Sequence, residues 1–307
     1  MNNNDEKCQL ERRKAMKTIA SLAAVAVAPV VIGRVNANEF LAGPPGKPDR
    51  PDRPDRPDGP PGGQSGETAE PAEGGDNPSA DWLSGGTQAM TAGFPDDSIF
   101  TSAAACTVAL TEERTEGPCY FDSVYREDIS EGLSGLPMQL CFQLTDESCE
   151  PLAGYEIEVW HCNVEGVYSG DTSDASDTGR FNSSYCTGDA EDALASQWFR
   201  GIAVTDSSGR VNFKTCFPGW YSSRVIHIHF RVRTNNSDSV VSQFGFSDYF
   251  CQNICTTHED YISRGEPDTY MNNDTVFDGP DETYMFRLQA NSDGSLLAYK
   301  RLMISES

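Results

Sequence analysis

An all-β sandwich in a single domain is the fold the sequence predicts, and three observations predict it. Short segments alternate apolar and polar residues, turn-forming residues punctuate them, and no comparably long amphipathic helix competes. The alternation begins at 138–144 (Met-Gln-Leu-Cys-Phe-Gln-Leu) and returns at 155–159. Asp206-Ser207-Ser208-Gly209 supplies a turn into a third segment, 210–214, and a fourth covers 226–232. The last pair is 284–288 and a final apolar strand, joined through Asn291-Ser292-Asp293-Gly294. Residues 191–199 alone have the pattern of a short helix. Successive strand side chains point to opposite faces, so strands of this kind reach a core by stacking two sheets.

The sandwich is expected to occupy 81–307, because much of what precedes it cannot pack. From Gly43 to about Ala80 the chain is dominated by Pro, Gly, Asp, Glu and Ser, without the aromatic and branched residues a core needs. Within it Pro-Asp-Arg recurs from Pro48 to Arg56, a composition that favours extended, solvated polyproline II. Residues 38–80 are therefore read as a semi-rigid tether.

Residues 1–37 read as an export signal. Arg12-Arg13 opens the charged part, an apolar run follows from Ile19 to Ile32, and Val35-Asn36-Ala37 offers small residues for cleavage. The arginine pair resembles the twin-arginine type of signal, which gives an exported, periplasmic or extracellular protein. The apolar run is shorter than the ~20 residues a spanning helix needs, so no stable membrane insertion is expected after cleavage.

The net charge of the chain is −24, and residues 1–37 hold six basic and three acidic residues, so the remainder carries −27. A surface so acidic repels phosphate backbones and excludes nucleic acid as a partner. Ten cysteines suit an oxidising destination. Nine remain after loss of Cys8, so at least one is a thiol or bridges to another chain, and no pairing follows from spacing. The spacings between Cys141 and Cys149 and between Cys251 and Cys255 lack the paired knuckles of a zinc ribbon. Sequons stand at Asn182, Asn235 and Asn273, although a twin-arginine exporter does not normally glycosylate them.

The chemistry concentrates in Pro218-Gly219-Trp220-Tyr221-Ser222-Ser223-Arg224-Val225-Ile226-His227-Ile228-His229. On a strand His227 and His229 point the same way, which makes a natural pair of metal ligands. A His-x-His alone fits cross-strand packing equally well. Tyr221, shortly before the histidines, and Tyr168, in Gly166-Val167-Tyr168-Ser169-Gly170, shift the balance. Phenolates are hard anionic donors suited to Fe(III); two of them with two imidazoles and a hydroxide would make a neutral centre, far less costly to bury than a bare trivalent ion. His161 is read as structural or as a neighbour of the ligands, and His258 as a surface residue.

Several segments in order then resemble the intradiol ring-cleavage dioxygenases, in particular their secreted branch related to protocatechuate 3,4-dioxygenase. They are Thr115-Glu116-Gly117-Pro118-Cys119-Tyr120, Val159-Trp160-His161-Cys162-Asn163, Gly166 to Asp171, Arg200-Gly201 with Thr205-Asp206 and Gly209, Phe217 to Tyr221, and His227-Ile228-His229-Phe230. The resemblance implies one non-haem Fe(III) per chain on Tyr168, Tyr221, His227 and His229, with Tyr221 and His229 axial. It implies catalytic roles for Arg224, which would offset charge developing on the substrate, for Tyr221, which would leave the metal and take a proton, and for Gln243, beside the pocket. The substrates it implies are a catechol and O2, with cleavage between the two hydroxylated carbons to a cis,cis-muconate-type diacid. Cys119-Tyr120 stands where the family often has an aromatic pair, and Cys216 where it usually has an apolar residue, so the pocket wall is expected to differ. A non-catalytic binder of aromatics or polysaccharide and a His-x-His metallohydrolase are the alternatives; the latter would need a carboxylate ligand that no motif supplies. Oligomeric state is not legible.

Overall fold

The computed structural model describes residues 81–101, 111–170, 184–234, 237–277 and 279–305. The expected signal 1–37 and tether 38–80 lie outside the described residues. Strands dominate what is described: β1 (Pro137–Thr145), β2 (Glu156–Trp160), β3 (Arg200–Val204), β4 (Arg210–Cys216), β5 (His227–Thr234), β6 (Ser237–Gly245), β7 (Arg287–Ala290) and β8 (Leu296–Met303). They form two four-stranded sheets, ordered β4-β1-β8-β7 and β3-β2-β5-β6. The β1–β8 pair is parallel and the other pairs are antiparallel.

The period-two pattern decides which faces meet. Met138, Leu140, Phe142 and Leu144 of β1 are buried in the same core as Ile157 and Val159 of β2, and Ile228, Phe230 and Val232 of β5. Phe142 meets Phe230 across the two sheets at 5.8 Å between ring centroids, and Phe230 stacks on Phe244 at 4.8 Å. Each large apolar side chain buried here contributes about 1.5–3 kcal/mol, which fixes the strand register. The opposite face of β1 and β8 is also covered: Cys141, Leu297 and Tyr299 pack with Phe100, and Gln139 donates to the carbonyl of Ala92.

Three helices stand beside the sheets among the described residues, α1 (Ser184–Thr187), α2 (Glu191–Ala195) and α3 (Asp248–Thr257). The short helix expected at 191–199 is α2, ending at Ala195. α3 was not anticipated. The Ser247 hydroxyl caps its N-terminus by accepting from the Phe250 N–H, and Phe250, Cys251, Ile254 and Cys255 form its buried face. β3 and β6 were missed too, and the expected strand 284–288 starts later: Glu282–Tyr284 is a 3-10 turn and the strand begins at Arg287. His258 corrects the sequence reading, since it is buried. Its Nδ1 accepts from the Asp260 N–H, so Nε2–H donates to the Leu83 carbonyl 3.0 Å away. The segment 81–101 covers the end of α3, a long-range contact that local polarity around His258 does not announce.

Asp293 ties that N-terminal segment to the β7–β8 turn. One of its oxygens accepts from the Thr91 and Ala92 N–H groups, each at 2.7 Å, and the other from the N–H and hydroxyl of Ser295. Its partial burial would raise the carboxyl, but these donors hold it well below the ordinary 3.8. A depressed folded pKa gives stability that is whole above the unfolded value and is lost as pH falls through the folded one. Asp293→Asn is therefore expected to melt below wild type at pH 7, with the gap narrowing below about pH 4. Thermal melts across that range check it, and a constant gap would show that the charge is irrelevant.

Candidate metal centre

The outer face of the second sheet carries the polar half of the β5 pattern. Ile228, Phe230 and Val232 fill the core, so His227, His229 and Arg231 project the other way. In register with His229 stand Trp160 on β2 and Gln243 on β6. The Trp160 ring stacks on the His229 imidazole at 5.0 Å and 9°, which holds the plane of the imidazole.

The two tyrosines arrive on loops that must pass very close to each other. Asn163 folds the first by accepting from the N–H groups of Glu165 and Val167 through its side chain. Its carbonyl accepts from Gly219 N–H at 3.0 Å, which docks the second loop on the first. A Cβ on Gly219 would meet the Val164 carbonyl oxygen at 2.1 Å, and one on Gly166 the Trp220 carbonyl oxygen at 2.2 Å. Glycine at both positions thus lets Tyr168 and Tyr221 face each other, ring centroids 5.8 Å apart. Tyr168 is held further by its N–H to the Cys186 carbonyl at 2.8 Å, and Cys186 is disulfide-bonded to Cys119. Cys119 is thus a bridge rather than part of an aromatic wall, while Tyr120 meets the edge of Trp160 at 5.3 Å.

Three polar atoms converge. His227 Nε2 lies 3.0 Å from His229 Nε2 and 3.2 Å from the Tyr221 hydroxyl. His227 Nδ1 is 2.6 Å from the Val225 carbonyl, which can only accept, so Nδ1 carries the hydrogen and Nε2 presents a lone pair. The fourth expected group, the Tyr168 hydroxyl, is buried close to Tyr221 with no hydrogen bond of good geometry among the described residues, and its ring lies edge-on to His229 at 6.2 Å. A buried, poorly bonded hydroxyl beside converging imidazole nitrogens is costly unless a cation joins the group. Burial, followed by the nearby Arg224 charge, pushes His227 down to about 3. Burial likewise holds His229 well below its ordinary range and raises the Tyr168 and Tyr221 phenols, Tyr221 against the opposing pull of Arg224. The set is neutral by itself and matches a hard, highly charged cation, which would ionise the phenols on binding. Among the described residues, no group of three or more His, Cys, Asp or Glu converges elsewhere in a metal-binding arrangement.

Arg224 and Gln243 stand together: Arg224 Nη2 donates to Gln243 Oε1 at 2.5 Å, and Gln243 Nε2 donates to the Thr115 carbonyl at 2.7 Å. Arg224 Nε donates to Asp274 at 3.0 Å, a residue the sequence offered only as part of a sequon. Arg200 is fully buried beneath the loops, donating to the carbonyls of Cys119 and Ser169, with its pKa lowered to about 10 by burial. His161 lies apart from the four, its ring nitrogens bonded to the Cys162 carbonyl and the Thr215 hydroxyl and its face stacked on Phe199 at 4.6 Å. Tyr185, in α1, meets Tyr221 edge-on at 6.2 Å and is partly exposed, so it rims the site.

Residues 115–290 match the family model described as Dioxygenase. A chlorocatechol 1,2-dioxygenase of Pseudomonas putida is 25% identical over 128 residues, 36% of this chain and 42% of that protein. A catechol 1,2-dioxygenase of Acinetobacter lwoffii is 24% identical over 158 residues, 44% of this chain and 45% of that protein. The aligned part of the chain thus spans less than half the length of these curated relatives. Among solved structures, an intradiol ring-cleavage dioxygenase from Tetranychus urticae superposes with a TM-score of 0.53 at 24% identity, covering 64% of this chain and 94% of that one. That likeness shows a shared fold.

Proposed function

The chain belongs to the intradiol ring-cleavage dioxygenase family, and from that membership we propose that it is an exported non-haem Fe(III) enzyme that opens catechol-type rings with O2 between the hydroxylated carbons. The observation that carries the proposal is the convergence of His227 Nε2, His229 Nε2 and the Tyr221 hydroxyl beside the poorly bonded Tyr168 hydroxyl, with a guanidinium alongside.

Tyr168, Tyr221, His227 and His229 would hold the iron. Bound Fe(III) would supply the Lewis acidity that draws a catechol to the site as its dianion and makes its ring reactive toward O2. The protein's own groups do the rest. Tyr221, which would be ionised when the metal is held, is the residue proposed to take one of the two diol protons, the other passing to solvent; its ring meets the exposed Tyr185 edge-on at 6.2 Å. Arg224, a fixed cation bonded to a buried amide, offsets negative charge on the diol and the opening ring; a preorganised donor in such a place is typically worth about 10²–10³ in rate. Trp160 fixes the His229 plane, and with Tyr120 it closes one wall against water. The product is a muconate-type diacid. The Cys119–Cys186 bridge supports export to an oxidising compartment, as the arginine pair and apolar run of the N-terminus do.

The test is a visible absorption spectrum of the purified, iron-loaded protein before and after anaerobic addition of catechol. A broad phenolate-to-Fe(III) band that moves to longer wavelength with catechol, followed by O2 uptake and a diacid product on aeration, is the expected result. A protein that stays colourless after iron reconstitution sinks the ligand assignment. Colour without O2 uptake across a catechol panel sinks the reaction.

A further inference from the structure

Asp274 lies in the segment 271–277, whose Met271 and Phe277 pack against Val225. Its side chain has no exposed surface and receives four hydrogen bonds, two on each oxygen. Oδ2 accepts from the N–H groups of Val276 at 2.8 Å and Phe277 at 3.0 Å, which anchors the carboxylate in its own loop. Oδ1 accepts from Arg224 Nε at 3.0 Å and from the Val225 N–H at 2.9 Å. The carbonyl of the same residue, Val225, receives His227 Nδ1–H at 2.6 Å. One oxygen is therefore joined to two functional groups at once. It fixes the Arg224 guanidinium directly, and across the single residue Val225, whose side chain is buried against Met271 and Phe277, it steadies the carbonyl that orients the His227 imidazole.

We propose that Asp274 is a positioning residue of the centre, a carboxylate clamp that makes the Arg224 charge and the His227 ligand plane move as one unit. Three features carry this. The guanidinium has Nε on Asp274 and Nη2 on Gln243, so its orientation is determined on two sides, while Nη1 has no hydrogen bond within the described protein and is left for an anionic substrate oxygen. The backbone between Tyr221 and Arg224 is closed by one long turn bond, from the Arg224 N–H to the Tyr221 carbonyl at 3.4 Å. Ser223 within it sits at φ 73°, a left-handed conformation that is unfavourable for a non-glycine residue and calls for further support. That support comes from the same stretch of chain: Asp268 accepts from the Ser222 hydroxyl at 2.7 Å and the Ser223 N–H at 3.3 Å, and Asp274 secures the following two residues. Finally, only a carboxylate satisfies four donors on two oxygens. An amide at this position would turn an N–H toward either the Val276–Phe277 pair or the Arg224–Val225 pair.

Its kinetic part rests on the dioxygenase reading, so the experiment has arms that do not. Asp274→Asn, Arg224→Gln and the double variant are prepared as full chains and loaded with iron. Outer partners of metal ligands typically contribute about 10–100-fold, and Asp274→Asn is expected to lower kcat by that factor with little change in KM. In the Arg224→Gln background the same substitution should cost kcat less than about threefold, because the group it acts through is gone. Asp274→Asn should also speed the loss of iron to a chelator about tenfold or more, whereas Arg224→Gln should not. Equal fractional losses of kcat in both backgrounds would reduce Asp274 to a scaffold residue and overturn the proposal. An unchanged rate of iron loss would overturn the link to His227. Should Asp274→Asn fail to fold, the wild-type chain loaded with diamagnetic gallium(III) decides: Arg224 Nε–H, assigned against Arg224→Gln, is expected to exchange slowly with solvent, and fast exchange would refute the clamp. Wild-type protein that binds iron but cleaves no catechol would sink the dioxygenase reading and leave the chelator and exchange measurements to decide on Asp274.

Discussion

Protein carrying His229→Ala is expected to emerge from purification and iron reconstitution with little bound metal, and to turn over catechol at least about 10³-fold more slowly than wild type. The expectation follows from how little could replace the lost nitrogen. His229 Nε2 lies 3.0 Å from His227 Nε2 on the outer face of the sheet, and the neighbours in register with it are Trp160 and Gln243, neither a ligand for a hard trivalent ion. Removing the ring also takes away the partner on which Trp160 stacks, so the remaining donors lose a rigid wall as well as a ligand. Iron content after gel filtration and O2 uptake with catechol measure the two effects separately. Retention of stoichiometric iron with a rate within tenfold of wild type would remove His229 from the ligand set. A melting temperature close to that of wild type would show that the loss is one of chemistry rather than of folding.

Gly166→Ala is expected to destabilise the protein by about 3 kcal/mol or more, lowering its melting temperature by roughly 6–12 °C. Gly166 is at φ +78°, and an added Cβ would meet the Trp220 carbonyl oxygen at 2.2 Å and Tyr221 Cβ at 3.2 Å. The first obstacle is backbone, so the clash is relieved only by moving the 217–221 loop away from the 163–168 loop. That movement separates Tyr168 from Tyr221, and the visible band and activity should fall with stability. Gly154→Ala is the control: its φ is +83° and nothing lies within 4 Å of the added atom. It should cost only the strain of the left-handed conformation, about 1–2 kcal/mol, and leave the colour unchanged. Equal effects of the two substitutions would show that close loop approach at Gly166 is unimportant.

The parts of this molecule written in local pattern were readable, and those made by distant contacts were not. The alternation around Phe142 and around Phe230 carries strand, face and core together, and the same alternation puts His227 and His229 side by side. No local rule brings Tyr168 to Tyr221, which lie on different loops joined through Asn163 and two glycines; only the resemblance to a family joined them. β3 and β6 are strands whose partners complete them, and their own sequences, Arg-Gly-Ile-Ala-Val and a run rich in Ser, are weak signals. α3 had a readable start in Ser247 and an apolar face at Phe250, Cys251, Ile254 and Cys255, but it is short and was overshadowed by the strands. Asp274 was invisible as a functional residue because its role depends on an Arg fifty residues earlier in the chain. His258 looked exposed for the same reason, since its cover comes from Leu83.

The parallel pairing of β8 with β1 has a consequence for the order in which the molecule can be assembled. β8 lies inside its sheet, between β1 and β7, so three neighbouring strands cannot be joined until residue 303 has left the ribosome. The sheet that presents His227, His229, Trp160 and Gln243 is drawn from the continuous stretch 156–245, and every pairing within it is available well before translation ends. Contacts close in sequence form at lower entropic cost than contacts that close long loops. The half of the sandwich that carries the chemistry is therefore the half that nascent chain can pair first, and its apolar inner face waits for the other to be completed.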